Sequence, residues 1–113
     1  MGKLQNAVNH YEHNVEYDTG ETEQFPTCRY LLEFVTDFTS GRLDRQQFTD
    51  DVQDYYYIGL TDLEDESRKF ATEFKNQIIN VINKHTDYGD DRLRRVLTRN
   101  MNNLNRILDD EAR

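Results

Sequence analysis

The chain has 113 residues, 35% of them hydrophobic, and a formal net charge of −8, which fits one domain with a single buried core. No apolar run approaches the ~20 residues needed to cross a membrane, and a lone cysteine, Cys28, excludes an internal disulfide and a multi-cysteine metal site. The charge is uneven: residues 1–66 hold 15 acids against 4 bases, whereas residues 67–113 hold 7 against 10. So acidic a first half repels nucleic acid and anionic membrane and attracts basic partners.

The first residues lack the apolar run and cleavage pattern of a signal peptide, so the expected location is the cytoplasm. Leu4, Val8, Tyr11 and Val15 form one stripe, predicting a weak, asparagine-rich helix over residues 3–17. Residues 18–26 are an acidic, linker-like segment with Gly20 and the sole proline, Pro26. Thr27 is a plausible N-cap for a helix whose stripe is Tyr30, Leu31, Phe34, Val35 and Phe38, and Gly41 stands where a glycine ends a helix. Asp44 followed by Gln47 is a capping-box pattern, and Leu43 before the cap can staple onto Phe48. The helices on either side should therefore form a tight αα-hairpin.

In the next helix Phe48, Val52 and Tyr55 share the inner face, while Asp50, Asp54 and Tyr57 fall opposite them. Gly59 ends it, and Thr61 with Glu64 forms a second capping-box pattern. A long helix is predicted from there to His85, with Leu63, Phe70, Ala71, Phe74, Ile78, Val81 and Ile82 inward. After TDYGDD, with Asp90 or Asp91 as cap, a last helix carries the seam Leu93, Val96, Leu97, Met101, Leu104, Ile107 and Leu108. The sum is one all-α domain over residues 1–113, an antiparallel bundle of four main helices preceded by the weaker N-terminal one.

Catalytic chemistry finds no foothold. His10 and His13 stand three apart near Glu12 and Glu16, but no third metal ligand is evident. His85 belongs to the end of the long helix. Ser40 and Ser67 lie outside any nucleophile elbow, Cys28 has no histidine beside it, and there is neither an inward Glu-x-x-His motif nor a glycine-rich phosphate loop. The expectation is a protein that is not an enzyme and needs no cofactor or metal.

Two charged faces remain. Arg92, Arg95, Arg99 and Arg106 line the last helix, a stripe that could touch phosphate, but the net acidic domain argues for solvent or the acids of a neighbouring helix or second subunit. Asn100, on the same helix's seam, reads as a register-setting polar residue. The acidic face comprises Asp50, Asp54 and Tyr57, flanked by Asp51, followed by Asp62, Glu64, Asp65 and Glu66, and extended by Glu33 and Asp37. Carboxylates at helical spacing can replace nucleic-acid phosphates before Lys and Arg, and tyrosine is a common anchor. Two readings are open, a partner-binding face and a solvated face with one tyrosine leaning over the bundle.

The run from Leu32 to Leu60 resembles the colicin D-type, self-protective immunity proteins of bacteria. The likeness lies in an apolar helix ending at Ser40-Gly41, then Leu43, an acidic cap, Phe48 and an aromatic helix end, with Asp91-Arg92-Leu93 opening the closing segment. It implies a small acidic helical protein that neutralises a basic toxin, often an RNA-cutting nuclease, by filling its substrate cleft. Asp50, Asp51, Asp54 and the acids from Asp62 to Glu66 would carry that role. Rival readings are a phage- or plasmid-borne acidic mimic that disables a host DNA-binding protein, and a non-catalytic homodimeric regulator.

Overall fold

The computed structural model describes residues 24–112. The helix expected over 3–17, the His10–His13 pair and most of the 18–26 segment lie outside the described residues. Within them the chain is all-α, with no strand. The elements are α1 (Pro26–Thr39), α2 (Arg45–Ile58), α3 (Leu60–Glu66), α4 (Arg68–Phe74), a π-helical segment (Lys75–Ile79), α5 (Asn80–Lys84) and α6 (Asp90–Glu111). From α4 to α5 the backbone stays helical, so these pieces form one rod.

The α1–α2 hairpin follows its local signals. Gly41 takes φ +84°, which only glycine adopts without strain. Around it Gly41 N–H donates to Phe38 O at 3.0 Å and Arg42 N–H to Asp37 O at 2.8 Å, closing the last carbonyls of α1. Asp44 Oδ1 accepts from Gln47 N–H at 2.8 Å, and half-buried Leu43 packs on the core that holds Phe48. Stacked rings join Phe38 to Phe48 near the turn (4.6 Å) and Tyr30 to Tyr55 at the far end (5.6 Å), so α1 and α2 run antiparallel.

The start of α1 departs from expectation. Phe25, not Thr27, occupies the N-cap, and it offers no side-chain cap. Pro26 has no N–H to satisfy. Glu66, from the last turn of α3, supplies what is missing: Oε1 accepts from Thr27 N–H at 2.9 Å and Cys28 N–H at 3.0 Å. Arg29 N–H then makes the first intrahelical bond, to Phe25 O. The backbone N–H groups of Thr27, Cys28 and Arg29 are thus all accounted for.

The single long third helix is a second correction. The chain bends at Ser67, an extended residue (φ −163°, ψ 103°) whose hydroxyl accepts from Phe70 N–H at 3.1 Å and caps α4. A serine that caps its own successor competes with helix continuation. The Thr61–Glu64 box does not form; α3 starts after Gly59 with no side-chain cap. Gly59 is there for space, since a Cβ would meet Tyr55 O at 3.1 Å and Thr27 Cγ2 at 3.3 Å. At α6 the N-cap is Gly89, and Asp90 and Asp91 sit in the first turn, where the helix dipole favours them.

The other elements pack around α1 and α2. Tyr56 Oη donates to Ala71 O at 2.9 Å, and its ring stacks on Phe74 at 5.8 Å. On α6, Leu93, Leu97, Leu104 and Leu108 are fully buried. In the π-helical segment Asn80 N–H reaches back five residues to Lys75 O, and the wider turn brings Ile79 into the core where the sequence pattern placed Val81. Asn100 Nδ2 donates to Gln77 O at 2.8 Å within this segment. A polar residue on the seam of α6 thereby pins the rod at one register.

Candidate protein-binding face

The α2 staple and the inward pair Tyr55 and Tyr56 fix how that helix is rotated. At about 100° per residue, Asp50, Asp54, Tyr57 and Ile58 must then point outward, and all four are exposed. Tyr57 is 54% and Ile58 68% exposed, the two exposed large hydrophobic residues among those described. Ile58 was missed in the sequence, although it follows Asp54 by one helical turn and so belongs to the same stripe. Asp50 accepts from Gln46 Nε2 at 3.2 Å. The Asp54 side chain has no hydrogen bond or ion pair with a described residue.

Asp62, Glu64 and Asp65 are exposed on α3, and none is paired with a described residue. The Tyr56 phenol is held above its usual range first by burial, then by Tyr57 and Glu64. Tyr56 and Tyr57 meet edge to face at 5.1 Å. Glu33 is exposed on α1. Burial, followed by Glu33 and Asp37, pushes the Tyr30 phenol up to about 12.

Three members of the expected acidic face serve the fold. Asp51 is 6% exposed and accepts from Gln47 Nε2 at 2.8 Å. Asp37 is half-buried and holds Arg42 at 3.2 Å across the α1–α2 turn. Glu66 caps α1. These three are not presented as outward charge, whereas Glu33, Asp50, Asp54, Tyr57, Asp62, Glu64 and Asp65 are.

No family model matches this chain, no curated protein is significantly similar to it, and no solved structure matches its fold. Among the described residues there is no group of three His, Cys, Asp or Glu that could hold a metal ion, and no helix long and apolar enough to cross a membrane. Arg92, Arg95, Arg99 and Arg106 all lie exposed along α6, with the Arg92 guanidinium 3.9 Å from the Tyr88 ring centroid.

Burial and then the Glu66 charge hold the Cys28 thiol far above its ordinary value of 9.0. With Tyr30 and Tyr56 it forms a set that binds protons more tightly folded than unfolded. Their contribution is complete below pH ~8 and fades as pH rises past the ordinary values of 9.0 for the thiol and 10.0 for the phenols, because the unfolded chain ionises first. Urea midpoints should fall between pH ~8 and ~10.5, and Cys28 should resist thiol reagents until the chain unfolds. A flat profile with a reactive folded thiol would contradict this placement.

Proposed function

We propose that this protein is a non-catalytic cytoplasmic inhibitor of the immunity type, which occupies the basic cleft of a nuclease toxin with the outward face of α2 and α3. The observation that carries the reading is the stripe Asp50, Asp54, Tyr57 and Ile58, continued by Asp62, Glu64 and Asp65, in which no carboxylate is paired with a cation among the described residues. Unpaired carboxylates keep their field outside the molecule, which raises association rates with a positive surface. An aromatic and an aliphatic side chain at the end of the stripe provide the desolvated contact that holds a complex together. The reading takes the long helices as one antiparallel bundle, a rigid mount that spares the face an ordering cost on binding.

The test is capture of the partner from the native host, followed by affinity measurements with wild type and the triple variant Asp50→Asn/Asp54→Asn/Tyr57→Ala. The expected result is a basic nuclease whose activity the wild type suppresses, and at least ~10-fold weaker binding by the variant. Equal affinities would remove this face from the account. A DNA-binding protein in place of a nuclease would favour the nucleic-acid mimic.

A further inference from the structure

We propose that α6 carries a second docking surface, whose occupant is the α2 stripe of another copy of this chain. Seven of the nine arginines among the described residues divide into three groups. Arg42, Arg45 and Arg94 bond to acids and carbonyls of their own fold. Arg95, Arg99 and Arg106 are exposed, and their side chains make no hydrogen bond or ion pair with a described residue. Exposed Arg92 lies over Tyr88 with the other face of its guanidinium uncommitted to any described ring.

Spacing selects the occupant. Read from Arg99 back to Arg92, the cations step by four and then three residues; read forward, Asp50, Asp54 and Tyr57 step by four and then three. At about 1.5 Å per residue both series step by about 6 Å and then about 4.5 Å. Two helices laid antiparallel therefore place Arg99 on Asp50, Arg95 on Asp54 and Arg92 on Tyr57, giving two ion pairs and a cation–π contact in one register. Within one molecule α2 and α6 each pack on α1, so the stripe and the arginines belong to different helices. The contact joins two unlike patches, and copies associate head to tail.

This association needs no toxin, so its failure would leave the preceding reading standing. The experiment is sedimentation velocity on the full chain over a concentration series. At an ionic strength of about 20 mM, where charges act over roughly 20 Å, the mean mass should climb above 13.5 kDa with concentration, and in ~0.5 M salt it should return to that value. Arg95→Gln/Arg99→Gln and Asp50→Asn/Asp54→Asn should each remain monomeric at low salt. Their equimolar mixture should regain a species of twice the monomer mass, because each supplies the face the other lacks. All four positions are exposed, and circular dichroism checks that both variants keep their helices. A wild type that stays monomeric at low salt, variants that associate as it does, or a mixture that stays monomeric would each overturn the proposal.

Discussion

Glu66→Ala should lower the unfolding free energy by roughly 2–4 kcal/mol, and Glu66→Gln by about half as much. The carboxylate is half-buried against the N-terminus of α1 and is the acceptor for both Thr27 N–H and Cys28 N–H. Removing it leaves two amide donors without a partner in a partly closed site, and takes a negative charge from the positive end of a 14-residue helix. Glutamine restores one acceptor but not the charge. Urea unfolding measures the total, and faster hydrogen exchange at Thr27 and Cys28 would localise it. A loss under ~0.5 kcal/mol for the alanine variant would show that water caps α1 equally well. Although Glu66 lies in the same acidic run as Glu64 and Asp65, its replacement should act on stability first and on partner affinity only through it.

Arg45→Met should cost about 2–3 kcal/mol, nearly all of it at the turn between α5 and α6. The Arg45 guanidinium reaches from the first position of α2 to the far end of the rod. There it donates to Tyr88 O, to His85 O at 3.3 Å, to Thr86 O at 3.5 Å and to Asp90 Oδ1 at 3.3 Å. These carbonyls close a helix C-terminus, where a cation is favoured and a planar fork can serve several acceptors together. Methionine keeps the stem but no donor, so the carbonyls lose partners while packing is retained. Lysine keeps the charge at one point and should recover about half of the loss. Hydrogen exchange should accelerate over residues 85–92 while α1 and the first turns of α2 keep their protection. An Arg45→Met protein as stable as wild type would show that the turn closes without this clamp.

The two sites differ in how far the sequence reveals them. Both ends of the α1–α2 turn are readable, because Gly41, Leu43, Asp44 and Phe48 act on neighbours within a few residues. The outward stripe is readable for the same reason: once Phe48, Val52 and Tyr55 are taken as inward, the positions of Asp50, Asp54 and Tyr57 follow. The burial of Asp51 was also within reach, since it lies three residues after Phe48 and four before Tyr55. Grouping it with its acidic neighbours hid what the helical period shows.

Other features leave no local mark. Leu63, Phe70 and Phe74 keep helical spacing across Ser67, so periodicity runs straight through a real break in the backbone. The π-helical segment at Lys75–Ile79 has no distinguishing composition. The α1 cap spans 39 residues of sequence, and the Arg45 clamp spans 43 to Tyr88. Charge alone assigns such residues to the surface. Tertiary packing instead employs Glu66 and Arg45 as parts of the backbone's hydrogen-bonding, and that choice is made only when the helices meet.

Hydrogen exchange of the chain alone and bound to the partner captured from its host tests the central claim most directly. Added protection should fall on the second half of α2 and on α3, from Asp50 to Asp65, and should shrink as salt weakens the complex. Protection confined to α6, or a complex indifferent to salt, would mean that outward carboxylates are not what the partner recognises.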